Sequence, residues 1–175
     1  MRIISGKYRG KKLFSPKSDK VRPTSDRARE SLFNIIRDEI DENTKVLDVF
    51  AGTGALGFEA LSRGALRACF VDIDVDTLKK NASLFENEKN NIEIIKADAL
   101  KIFKAKDKYN LVFLDAPYNK GFSVKALEGL YDNGWIESNA LVVVEVEKNE
   151  EFSSFFEPFD TRVYGLNKLL FFRIS

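Results

Sequence analysis

The chain has 175 residues and a mass of 19.9 kDa, 44% of them hydrophobic and 31% charged, which suits one domain with a sizeable core and excludes wholesale disorder. It has no histidine and a single cysteine, Cys69, so imidazole bases, Ser-His-Asp and Cys-His nucleophiles, histidine zinc sites, internal disulfides and thiolate cages are excluded. Formal net charge is +1, yet residues 1–29 hold ten Lys/Arg against two Asp, a separation that points to a polyanionic partner at one end, with a solvated basic tail as the plain alternative.

Residues 1–23 are punctuated by Gly6, Gly10 and Pro16, and Ile3-Ile4 and Leu13-Phe14 flank a basic loop. They read as a basic N-terminal arm or hairpin ahead of a domain over residues 24–175. The start carries no signal-peptide core and no apolar run reaches the roughly 18 residues a bilayer needs, so a cytoplasmic protein without membrane contact is expected. After Pro23, Thr24-Ser25-Asp26 can cap a helix that carries Ala28, Leu32, Ile35, Ile36 and Ile40 at helical spacing. Arg27 and Arg29 fall in its first turn, where positive charge is unfavourable; either a phosphate lies nearby or they face water.

Strand signals then alternate with helical ones at Val46–Phe50, Arg67–Asp72, Ile92–Lys96, Asn110–Asp115 and Ala140–Val146. This alternation predicts an α/β fold, with a mostly parallel sheet and helices on both faces. Thr161–Tyr164 and Lys168–Ile174 around Gly165-Leu166-Asn167 break the rhythm and predict a C-terminal antiparallel hairpin and edge strand. Phe155, Phe156, Phe159, Phe171 and Phe172 in this last segment are assigned to packing, as is Trp135.

In such sheets a ligand binds at the carboxyl ends of the strands, and four of those ends carry an acid. The first runs from Asp48 through Gly52-Thr53-Gly54 to Gly57, a glycine turn that opens a helix whose free N–H groups can meet a carboxylate or phosphate. Its spacing equals the dinucleotide fingerprint, and Asp72, at the next strand end, could accept from the hydroxyls of either a nucleoside or NAD. Asp48 favours a cofactor with an ammonium and a sulfonium, S-adenosylmethionine, over a pyrophosphate. Asp98 could accept from an adenine amine or cap the following turn, and the two roles can coexist. The fourth end reads Asp115-Ala116-Pro117-Tyr118: an acid and a neighbouring carbonyl to accept from an exocyclic amine, a stiff proline, and a flat ring for stacking a base.

With these motifs in order, the chain resembles class I S-adenosylmethionine-dependent methyltransferases, which share a Rossmann-like sheet. More narrowly it is similar to the bacterial 16S rRNA guanine-N2 methyltransferase D family, in the stretch Arg2-Ile3-Ile4-Ser5-Gly6-Lys7-Tyr8-Arg9-Gly10 and in the run from Arg22 to Asn34. The resemblance implies methylation of one guanine N2 in 16S rRNA, on an assembling small subunit; a monomer without a metal is expected. It places the cofactor against Asp48, Phe50, Gly52, Gly54, Gly57, Asp72, Ile73, Asp98 and Ala99, and the target amine at Asp115, Ala116, Pro117 and Tyr118. RNA phosphates fall to Lys7, Arg9, Lys11, Lys12, Arg22, Thr24, Arg27 and Arg29, with Tyr8 either stacking on a base or anchoring the hairpin. Ala116 stands where the family usually has proline; it keeps the carbonyl and loses rigidity. Adenine-N6 methylation, an RNA-binding assembly factor weakened through Ala116, and an NAD oxidoreductase are the competing readings.

Overall fold

The computed structural model describes residues 1–16 and 25–175. Its apolar, branched runs form β1 (Lys45–Val49), β2 (Arg67–Asp72), β3 (Ile92–Lys96), β4 (Tyr109–Leu114) and β5 (Ile136–Glu147), all paired in parallel. The hairpin strands β6 (Asp160–Tyr164) and β7 (Asn167–Ile174) join antiparallel. One seven-stranded sheet results, in the order β3-β2-β1-β4-β5-β7-β6. The chain builds outward from β1 to β3, then returns to lay β4 on the other side of β1. The crevice expected where the winding reverses therefore opens between the carboxyl ends of β1 and β4.

Side chains alternate across the sheet and fill two cores. Val46, Phe70, Phe113, Leu141 and Phe171 face helices α1 (Asp26–Ile35), α2 (Ala55–Ser62) and α3 (Asp76–Ala82). Leu47, Val71, Val112, Val142 and Phe172 face α4 (Phe122–Asp132) and Trp135. Helices thus cover both faces, as the alternating pattern predicts.

The N-terminal hairpin closes through an Arg2–Lys12 bridge and Ile3 N–H donating to Lys11 O at 2.9 Å. It is seated in the first core by buried Ile3 and Leu13. Glu59 of α2, itself fully buried, accepts from the backbone N–H groups of Ile4 at 2.8 Å and Ser5 at 3.0 Å. The expected boundary between residues 23 and 24 lies outside the described residues.

Several element limits differ from expectation for local reasons. β1 stops at Val49 because Phe50 turns to φ 58°, a left-handed conformation incompatible with a strand. α1 ends at Ile35 rather than continuing to Ile40: Ile36 leaves helical geometry and Arg37–Glu39 tighten into a 3₁₀ turn. β5 begins at Ile136, before the expected Ala140, because a register shift between Tyr109 and Leu111 extends its pairing with β4. Of the two hairpin strands β6 takes the edge, and β7 lies inside the sheet.

Candidate active site

The turn after β1 is shaped by Gly52 at φ 57° and Gly54 at φ 78°, the latter placed as the N-cap of α2. Asp72, at the end of β2, ties this turn down: its Oδ2 accepts from Gly52 N–H at 2.7 Å and its Oδ1 from Asp74 N–H at 3.0 Å. Each carboxylate oxygen keeps a further lone pair, so Asp72 can still accept from a ribose diol. Ile73 beside it stands 67% exposed, an apolar surface for the flat face of a base. Asp98 caps the 3₁₀ turn Ala99–Lys101, accepting from Leu100 N–H at 2.9 Å, and is only half-buried. Around an open glycine turn these groups can hold a nucleoside. Ala99 is buried with its side chain in the second core, so only its backbone is available there. Phe50 also packs partly against that core.

Two expected cofactor contacts are corrected. Asp48 is 2% exposed and lies beneath the turn, accepting Gly57 N–H at 2.9 Å. Burial pushes its carboxyl up to about 8, the neighbouring Asp72 adds to the rise and the Gly57 N–H opposes it. It shapes the loop from inside, and its burial keeps it from direct contact with an ammonium. Gly57 has a packing role, since a Cβ there would overlap the Phe70 ring; α2 could not then approach β2.

Across the switch point, Asp115 N–H lies 3.5 Å from Val49 O, which brings the Asp115–Tyr118 turn alongside the glycine turn. Asp115 is half-buried, the Ala116 side chain is buried and Pro117 is exposed. Tyr118 donates its hydroxyl to Glu145 Oε1 at 3.0 Å, and Asn167 donates to the same oxygen at 2.7 Å. Burial, with Glu145 and Asp115 close by, raises the Tyr118 hydroxyl far above its ordinary value, keeping it a donor. The next residue, Asn119, donates its N–H to Glu150 at 2.9 Å and its amide to Glu147. The turn is thus strapped to the end of β5 and the segment beyond it by three carboxylates absent from the sequence reading. Glu145 had a signal there: it follows Leu141 and Val143 at strand period on an inward face, where a carboxylate is costly unless it receives hydrogen bonds.

The basic residues separate into distinct settings. Arg29 is 0% exposed, with its guanidinium donating to Arg2 O and to Asp26 Oδ1 at 2.9 Å; it joins α1 to the N-terminal hairpin and cannot reach a phosphate. Lys7 pairs with Glu88, and Lys11 donates to Leu84 O at 2.8 Å. Tyr8 donates to Glu88 at 3.0 Å and meets Phe85 edge-on at 5.1 Å, so it anchors the hairpin. Arg9, Lys12 and Arg27 are exposed, while Arg22 and Thr24 lie outside the described residues. Among the described residues no group of three or more His, Cys, Asp or Glu could hold a metal, and no helix is long and apolar enough to cross a membrane.

Comparison with known proteins agrees with this arrangement. The family described as Conserved hypothetical protein 95 matches residues 1–173. Ribosomal RNA small subunit methyltransferase D of Haemophilus influenzae is 38% identical over 156 residues, covering 86% of this chain and 80% of that protein. Its Escherichia coli counterpart is 40% identical over 151 residues, 84% of this chain and 75% of that one. The solved structure of the Escherichia coli methyltransferase yhhF superposes with a TM-score of 0.84 at 35% identity, over 100% of this chain and 98% of that one. The chain therefore belongs to the Conserved hypothetical protein 95 family, as a member of its ribosomal RNA small subunit methyltransferase D branch within the class I methyltransferases.

Proposed function

We propose that this S-adenosylmethionine-dependent methyltransferase transfers a methyl group to the exocyclic N2 of one guanine in 16S rRNA, as a cytoplasmic monomer acting on an assembling small subunit. The observation that carries the reading is the apposition of the glycine turn after β1 and the Asp115–Tyr118 turn after β4, joined by the contact between Asp115 N–H and Val49 O. When bound, the cofactor supplies an electrophilic methyl on a sulfonium. Asp72, Ile73 and Asp98 would hold its nucleoside, with the N-terminus of α2 facing its carboxylate.

A guanine amine is a weak nucleophile because its lone pair is delocalised into the ring, so catalysis depends on placement. Asp115 and the Ala116 carbonyl accept the two N2 hydrogens and favour a pyramidal nitrogen; once N2 has gained the methyl from sulfur, one of these hydrogens would leave as a proton to solvent. The Asp115 carboxylate can also accept from N1–H, which guanine has and adenine lacks. Tyr118, with its hydroxyl held by Glu145, presents its ring to the extruded base. Arg9, Lys12 and Arg27, exposed on the surface, would hold phosphates.

The test is transfer of labelled methyl to small subunits that lack the modification, to naked 16S rRNA and to DNA, followed by mass spectrometry of the product. N2-methylguanine at one position in the first substrate is expected. N6-methyladenine, or labelling of DNA alone, would overturn the reading.

A further inference from the structure

A cavity of about 620 Å³ opens between α1 and the β6–β7 hairpin, within the range of roughly 300–1,000 Å³ that ligand pockets occupy. Leu32 and Leu169 are among its apolar walls; Arg27, Ser31, Tyr164 and Asn167 are among its polar ones. Val163 and Leu166, both more than half exposed, stand at its rim. Glu145 also lines it, and the two hydrogen bonds that this carboxylate receives, from Tyr118 and Asn167, offset its charge on that side. Arg27 forms no ion pair among the described residues. An aromatic ring, apolar walls, a hydroxyl, an amide and a lone guanidinium match the chemistry of a nucleotide, with base on ring and phosphate on cation.

The cavity adjoins the crevice: Glu145, one of its walls, accepts from the Tyr118 hydroxyl at 3.0 Å. Its other walls come from α1, β6, β7 and the turn between those strands, whereas residues of the Asp115–Tyr118 turn, which leaves β4, are not among them. Yet the two places are coupled, since one oxygen of Glu145 holds both Tyr118 and the hairpin residue Asn167. We infer that this cavity binds the nucleotide next to the target guanine in an unpaired RNA strand, its base against Tyr164 and its phosphate at Arg27. The inference rests on the proposed placement of the target base at Asp115–Tyr118, but its test does not depend on turnover.

A single-stranded RNA hexanucleotide with 2-aminopurine beside a central guanine reports stacking through loss of fluorescence, and titration with the full chain gives its affinity. Wild type should quench the probe. Tyr164→Phe should retain the quench and show that the hairpin remains folded, whereas Tyr164→Leu should lose most of it and weaken binding roughly tenfold. Arg27→Gln should weaken binding by about fivefold and flatten its salt dependence. Equal quenching and affinity in wild type, Tyr164→Leu and Arg27→Gln would overturn the inference, as would no binding by wild type; a cavity that takes a peptide instead would give this result. Loss in the variants alongside a wild type that methylates no small subunit would uphold the cavity and overturn the guanine reading. Methylation with unaltered variants would do the reverse.

Discussion

Asp48 is an ionisable group sealed beneath the loop it supports, and its proton is linked to folding. Its carboxyl rises from an ordinary 3.8 to about 8 in the folded chain, so between those values the native state holds a proton that the unfolded chain has released. The stability this group allows is complete at the acid end of that window and falls as pH rises, by up to about 1.4 kcal/mol per pH unit, levelling off above the folded value. Asp48→Asn keeps an oxygen to accept Gly57 N–H and cannot ionise. Denaturant midpoints from pH 5 to 8 should fall for wild type relative to the variant; parallel curves would show that Asp48 does not carry this linkage. Glu145 bears on the proposed placement of the target base through the Tyr118 hydroxyl that it accepts. Tyr118→Phe keeps the ring and loses the hydroxyl that Glu145 holds, so kcat/KM should fall by about tenfold, and Tyr118→Ala, without a ring, by about a hundredfold. Equal losses in the two variants would mean that the ring has no part beyond its tether. Asp115 and Tyr118 stood out in the sequence because an acid, a proline and an aromatic directly after an apolar strand have little packing purpose, and the fold sets their turn beside the glycine turn. The burial of Arg29 was not, because only the fold reveals that the N-terminal hairpin closes over it.

At the scale of elements, period and turn chemistry located every strand, and β2 and β3 agree to the residue with their apolar runs. What the sequence concealed were contacts made far along the chain: the register shift that lengthens β5, and the docking of the N-terminal hairpin on α2. That docking concentrates on Glu59, fully buried, which accepts from Ile4 N–H, Ser5 N–H and Arg63 Nε at 2.8, 3.0 and 2.8 Å respectively. Removing the carboxylate leaves two backbone donors without their acceptor and the Arg63 guanidinium without its partner, a loss of about 3–5 kcal/mol. Glu59→Ala should therefore release the hairpin: trypsin would cut after Lys7, Arg9 or Lys11 many times faster than in wild type, while residues 30–175 resist. Unchanged cleavage at those sites would mean that buried Ile3 and Leu13 hold the hairpin by themselves.

Across the whole molecule, ten of the 28 Lys/Arg lie within residues 1–29, and folding sets the described ones apart by the contacts they make. Arg29 is enclosed, and Lys7 and Lys11 are engaged at Glu88 and Leu84 in the segment that follows α3. Arg9 and Lys12 remain exposed on the hairpin and Arg27 at the start of α1. A polyanion attracted to this end would meet those three and Arg2, which is also exposed, whereas the carboxylates of the remaining chain repel it elsewhere. Each phosphate contact releases condensed counterions, so affinity should fall with salt in proportion to the number of contacts. Replacing Arg9 and Lys12 together with Gln should reduce affinity for single-stranded RNA by about tenfold at physiological salt and lower the slope of log affinity against log salt by roughly 1.4. Cofactor binding at the proposed site on the glycine turn, which neither residue is assigned to contact, should not change. Replacing Lys7 with Gln should have a different signature: it frees the buried Glu88 from its partner, so the melting temperature falls more than the salt slope. A double variant with an unaltered salt slope would show that the hairpin's exposed cations do not meet RNA, and would leave Arg27 as the described cation assigned to a phosphate.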